Sequence, residues 1–371
     1  MSYYQARMER IWDWMAQEEI ALVMFEDFEP RRDSTVRWLT GQPGDALLFL
    51  SADRRSLLAP WDMIVAKSFA KADMIVPYND FDRSPTKAIR AAAERLGVAA
   101  GAKIEIPGST PYPAFLGYVG ELTEYDVICR EKGATDCALE LRAIKDEEEI
   151  GVYRKAAAIT NELVDILEKK ARAGKLKTEA DAALLIELES RRLGCEGASF
   201  PILAAGPDRS FGIHAFPNWS ASSFATKGLS ILDFGVRYMG YCTDVTMTFA
   251  LDLNPQQQKM LELVEKAAEI AKAAIAPGAE TQAVAVAVDD FFAKSKKTMP
   301  HGLGHGVGLD VHELPALRSK YKKSWEIKPG MIFAVEPGLY DPEHGGCRLE
   351  NDFLITEGGY EILTTSRVVR L

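Results

Sequence analysis

A chain of 371 residues exceeds what one compact core usually takes, so two domains are expected. With 47% hydrophobic and 26% charged residues it has the material for buried cores, which excludes a disordered chain. A net charge of -10 offers no electrostatic grip on nucleic-acid phosphates or an anionic membrane, so neither is an expected partner.

The N-terminal MSYYQARMERIWDW reads as an amphipathic helix over 2–18 and lacks the basic start, apolar centre and cleavage site of a signal peptide. No apolar run reaches the roughly 18 residues of a membrane span, so a soluble cytoplasmic protein is expected. Short apolar runs follow at 20–25, 46–51, 74–79 and 103–107, with helical stretches such as SPTKAIRAAAERLG between them. This predicts an α/β domain over residues 1–132, and it contains no histidine. The polar REKGATD opens a linker over 133–145.

From Asp146 to 371 the pattern becomes helix pairs followed by strand pairs, twice over. Asp146 with Glu149 forms a capping-box start for a helix to about 171, and Thr178 caps a helix through Arg192. Strands follow at 200–204, 229–236 and 241–251. Asn254 and Pro255 open a third helix running to the Pro-Gly at 277–278, and a fourth covers 281–296. Further strands lie at 331–340 and 347–356. The economical reading is a duplicated α/β unit sharing one sheet. The five cysteines (Cys129, Cys137, Cys195, Cys242, Cys347) are scattered, which fits small buried hydrophobes in a reducing compartment.

All five histidines lie in this second part, and so do two acid-bearing hairpins. In ILDFGVRYMGYCTDVTMTF a two-residue loop at Tyr238 and Met239 would set Asp233 opposite Asp244 on one face. In MIFAVEPGLYDPEHGGCRLENDFLIT a pairing centred on Glu343 sets Glu336 opposite Glu350. Carboxylates in apolar strands are strongly penalised unless a countercharge is supplied, and a metal supplies it. Between the hairpins, glycines flank His305 in HGLGHGVGLDVHELP and would let one imidazole reach a cation. This oxygen-rich set of Asp233, Asp244, His305, Glu336 and Glu350 favours Mn²⁺, Co²⁺, Fe²⁺ or Zn²⁺ and predicts a water or hydroxide bridging two ions. Arg348, two residues before Glu350, would orient that carboxylate or form an ordinary salt bridge. Each residue alone has a plainer reading, Asp233 before Gly as a turn signal or a lone His305 as structural, so the argument rests on the set.

These segments, with LELRAIKDEEEI, GASFPILAAGPDRSFGIHAFPN, GHGVGLDVHELP, VEPGLY and CRLENDFLIT, resemble the pita-bread metallopeptidases over essentially the whole chain. The added N-terminal domain is most similar to the prolidase, aminopeptidase P and creatinase branch. The resemblance implies a creatinase-like α/β domain followed by a pita-bread catalytic domain, two divalent ions per subunit (Mn²⁺ or Co²⁺ foremost), a homodimer, and cleavage of Xaa-Pro bonds in dipeptides or short peptides. It implies Glu336 as proton carrier, His214 as a substrate-side histidine, and His312 as donor to the scissile carbonyl or its oxyanion. Arg318, two residues beyond the position where prolidases often carry an arginine, would hold a substrate carboxylate, and Arg348 joins it on the substrate-binding side. His301 would support the loop from behind the ligands, and His344 would lie exposed in the hairpin turn. Met247 stands where many relatives carry arginine. The alternatives on the same scaffold are a hydrolase of small cyclic or guanidino compounds, a carbon–sulfur lyase, or a binding protein without catalysis.

Overall fold

The computed structural model describes residues 2–29 and 31–371, and its contacts divide the chain into two units, Met1–Arg142 and Ala143–Leu371. No helix among the described residues is long and apolar enough to cross a membrane.

The first unit is a six-stranded mixed sheet. Its order is Met74–Ile75, Arg55–Pro60, Ala46–Ser51, Leu22–Asp27, Lys103–Glu105, Asp126–Ile128. Helix Tyr3–Glu18 is capped by the Ser2 side chain and buries Met8, Ile11, Trp12 and Met15, the spacing of one helical face. Another helix, Pro85–Arg95, packs Ala88, Ile89 and Ala92 against Leu47, Phe49 and Leu57 of the sheet. The strand Arg55–Pro60 escaped the sequence reading because the turn before it has Arg54, at φ 61, in the left-handed position where glycine would have signalled it. Most of the stretch read as a linker is helix Ala134–Arg142, whose Ala and Leu content the polar REKGATD obscured.

The second unit carries four helices, Glu147–Arg172, Glu179–Arg192, Pro255–Ala274 and Thr281–Lys294. Reciprocal capping boxes start the first three at Asp146/Glu149, Thr178/Asp181 and Asn254/Gln257. Two larger sheets, beside smaller ones of three and two strands, stand in place of the single one expected. A four-stranded sheet has the order Val368–Arg370, Val245–Leu251, Gly228–Phe234, Leu203–Ala205. A five-stranded one has the order Glu313–Leu317, Gly304–Gly306, Ile332–Val335, Asn351–Thr356, Gly359–Ile362. They meet at an isolated bridge between Thr246 and Glu350, which brings the acid-bearing strands of both hairpins side by side. Each sheet has its own core. One gathers Leu163, Val164, Ile186, Leu232 and Phe249, the other Val264, Val288, Phe292, Phe333 and Phe353. Cys195, Cys242 and Cys347 are buried, whereas Cys129 and Cys137 are partly exposed.

Candidate metal centre

The first hairpin turns one residue later than expected. Met239 and Gly240 both have positive φ, 48° and 88°, the requirement of a type I′ turn that glycine meets without strain. Asp233 therefore lies opposite Thr246 and not opposite Asp244. A two-position shift keeps every side chain on its face, because strand side chains alternate with a period of two, and both aspartates still line the same cavity. The second hairpin holds the register read from the sequence: Val335 pairs with Asn351 and Gly338 with Arg348, leaving Glu336 and Glu350 opposite one another.

His305 sits in the short strand between Glu313–Leu317 and Ile332–Val335. A Cβ at Gly304 would stand 2.0 Å from the Ala334 carbonyl oxygen, so only glycine permits this approach. The Nδ1–H of His305 donates to the Gly306 carbonyl at 3.0 Å. Its Nε2 then faces Asp244 Oδ2 at 3.7 Å and Glu336 Oε1 at 3.9 Å. Burial, then the neighbouring His312, pulls this imidazole down to about 4, so at neutral pH the ring is uncharged and its Nε2 lone pair faces the oxygens of Asp244 and Glu336.

Ligand atoms of Asp244, His305 and Glu350 all lie within 4.8 Å of one another. Burial first, then the adjoining acids, pushes the Asp244 and Glu350 carboxyls well above their ordinary range. Burial pushes Glu336 up to about 7 although Arg348 opposes it. Asp233 Oδ1 is buried with no hydrogen-bond partner in the structure. Four converging carboxylates, one of them with an orphaned oxygen, and one imidazole lone pair form a donor set that could hold a cation, and hard oxygen with a single nitrogen suits a divalent ion.

Arg348 corrects one expectation. It is 1% exposed and does not line the cavity. It donates from Nη2 to Asp233 Oδ2 at 2.5 Å, from Nε to Thr246 Oγ1 at 2.9 Å, and from Nη1 to Tyr340 Oη at 2.6 Å and Ile213 O at 3.2 Å. With its donors turned inward it holds Asp233, not Glu350 and not a substrate. Glu350 instead accepts from Thr246 Oγ1 at 2.7 Å. His301 extends the chain: its Nδ1–H donates to Gly302 O at 2.8 Å and its Nε2 accepts from Tyr340 Oη at 3.0 Å.

Thr246, Tyr340 and Asp352 were not singled out from the sequence. Asp352 accepts the Asp244 N–H at 3.1 Å and is 0% exposed. A signal for Thr246 existed, since Asp244, Thr246 and Thr248 alternate with apolar residues in a strand whose two threonines are both fully buried. Met247, between them, belongs to the hydrophobic core on the other face and does not line the cavity.

The cavity holds about 360 Å³. His214, His312 and Arg318 line it and are exposed. The His312 ring stands 4.3 Å from that of His305, and burial draws its pKa down. Arg318 packs across Gly302. Phe200, Leu203 and Ile213 supply an apolar wall. His344 is half-buried in its turn, its carbonyl accepting from Gln257.

Comparison with known proteins adds the following. Residues 151–357 match the profile of metallopeptidase family M24. An uncharacterized peptidase of Methanocaldococcus jannaschii is 33% identical over 257 residues, 68% of this chain and 70% of that protein. A Xaa-Pro dipeptidase of Pyrococcus horikoshii is 31% identical over 264 residues, 70% of this chain and 72% of that protein. Among solved structures, a recombinant prolidase from Thermococcus sibiricus superposes with a TM-score of 0.82 at 26% identity, covering 100% of both chains.

Proposed function

Since the chain belongs to metallopeptidase family M24, we propose that it hydrolyses the Xaa-Pro bond of dipeptides or short peptides. In this reading residues 146–371 form the catalytic domain, and two divalent cations, Mn²⁺ or Co²⁺, are held by Asp233, Asp244, His305, Glu336 and Glu350. The observation that carries it is the Nε2 of His305 facing Asp244 and Glu336 across 3.7 and 3.9 Å, nitrogen and oxygen ligand atoms that a cation would draw together. The relatives named Xaa-Pro dipeptidases, from P. horikoshii and from Pyrococcus furiosus at 33% identity, support the choice of bond.

Bound cations would supply water activation and polarisation of the scissile carbonyl. The side chain of Glu336 is 21% exposed, against 7% for Asp244 and 11% for Asp233. It is thus the carboxylate open to the substrate side, where it takes a proton from the attacking water and returns it to the prolyl nitrogen. His312, neutral at pH 7 and turned into the cavity, donates to the oxyanion that forms at the carbonyl. His214 holds the substrate from the loop that carries Ile213, and the Arg318 guanidinium takes the free carboxylate of a dipeptide.

The test uses purified chain, a Xaa-Pro dipeptide and a Xaa-Pro-Xaa tripeptide, with Mn²⁺ or with chelator. Dipeptide cleavage that needs the metal is expected. Silence on both peptides despite Mn²⁺ binding would overturn the substrate, and undiminished activity in Asp244→Ala would overturn the metal site.

A further inference from the structure

A second charged pair lies behind the cavity, outside the donor set. Lys145 enters helix Glu147–Arg172 with its N–H donated to Gly330 O at 2.9 Å, which anchors its backbone to the turn before the strand Ile332–Val335. Its ammonium donates to Glu313 Oε2 at 3.0 Å, and the two side chains are 1% and 3% exposed. The other Glu313 oxygen accepts the Asp310 N–H at 3.1 Å. A Cβ at position 308 would stand 2.5 Å from Glu313 Oε2, so glycine there leaves the carboxylate its place. The carboxylate thus fills the inside of the loop 306–313 and is held from both sides. Cys242 N–H, donating to Gly308 O at 2.7 Å, ties the same loop to the first hairpin.

His312 is the residue next to Glu313. Its ring lines the cavity and stands 4.3 Å from His305, whereas Glu313 does not reach the cavity. Glu313 opens the strand Glu313–Leu317 and His312 is the last residue of the bend before it, so gripping Glu313 from behind limits where His312 can point in front. A buried ion pair is a poor source of stability, since desolvation offsets its attraction and an apolar pair would serve as well. Direction is what it adds.

We propose that Lys145 is a positioning residue for hydrolysis: through Glu313 it fixes the loop 306–313 and thereby holds the His312 imidazole over the reacting carbonyl. The proposal rests on the reading that His312 contacts the substrate. In the Mn²⁺-loaded full chain, Lys145→Met is expected to lower kcat on a Xaa-Pro dipeptide about ten- to a hundred-fold, with KM and Mn²⁺ affinity little changed. In a His312→Ala background the same substitution costs no further kcat. Hydrogen exchange of the amides in 306–313 quickens in Lys145→Met, a readout independent of turnover. Should the stranded carboxylate destabilise that variant, Lys145→Met with Glu313→Gln restores the melting temperature and leaves kcat low. Equal losses of kcat in both backgrounds, unchanged exchange in 306–313, or full recovery of kcat in the double variant would each overturn the proposal. A wild-type chain that binds Mn²⁺ but cleaves no Xaa-Pro peptide would sink the activity reading alone, and the exchange measurement would still decide the clamp.

Discussion

The floor and the rim of the cavity are built on different terms. On the floor, Asp244 and Glu350 are 5% and 2% exposed. Asp233 is held by Arg348, Glu350 by Thr246 and the backbone of Asp244 by Asp352. On the rim, His214, His312 and Arg318 are exposed. The floor thus sits in a region where like charges raise each other's pKa and each geometry is fixed by several partners. The rim is open to solvent, where its groups can meet a substrate. A buried, over-determined floor suits the holding of cations, and an exposed rim suits contact with peptides.

That contrast can be broken experimentally. Glu336→Gln strikes the floor where it opens to substrate, and a kcat loss of about 10²–10⁴ is expected; steady-state kinetics with Mn²⁺ retaining more than a tenth of wild-type kcat would reject Glu336 as proton carrier. His312→Ala removes a rim donor and is expected to lower kcat by about 10²–10³. A purely KM effect in the same assay would make His312 a binding group only. Arg318→Ala is expected to raise KM for a dipeptide about tenfold while sparing kcat. If KM rises equally for a dipeptide amide, which has no carboxylate, the guanidinium does not read that charge.

The floor also predicts a pH dependence of the metal-free protein. Burial raises Glu336 from 4.5 to about 7, so between these values the folded chain keeps a proton that the unfolded chain has lost. Stability then falls as pH rises through this window, by at most about 1.4 kcal/mol per pH unit for one carboxyl. Mn²⁺ displaces that proton, and the rise in melting temperature on adding Mn²⁺ should grow from pH 5 to pH 7. Thermal melts with an equal metal-induced rise at both pH values would contradict it.

Much of the floor was legible along the chain because its signals are local. Acids placed in apolar strands, glycines around His305 and a turn-rich DPEHGG between two strands announce themselves within a few residues. The second hairpin paired as read, since its turn left one centre. The first slipped by two because Gly240, not Tyr238, takes part in the turn, yet the acids kept their face. Partnerships across the structure were a different matter. Arg348 lies 115 residues from Asp233 and Thr246 104 from Glu350, and Lys145 meets Glu313 across 168. Strand alternation, caps and turns depend on the backbone's own geometry, so the sequence alone determined which side chains share a face and where the acid-bearing hairpins lie. Which buried charge answers which other depends on how two sheets and the start of a helix come together. Only the tertiary structure decided that Arg348 serves Asp233, that Thr246 serves Glu350, and that a lysine before the first long helix of the second unit stands behind His312.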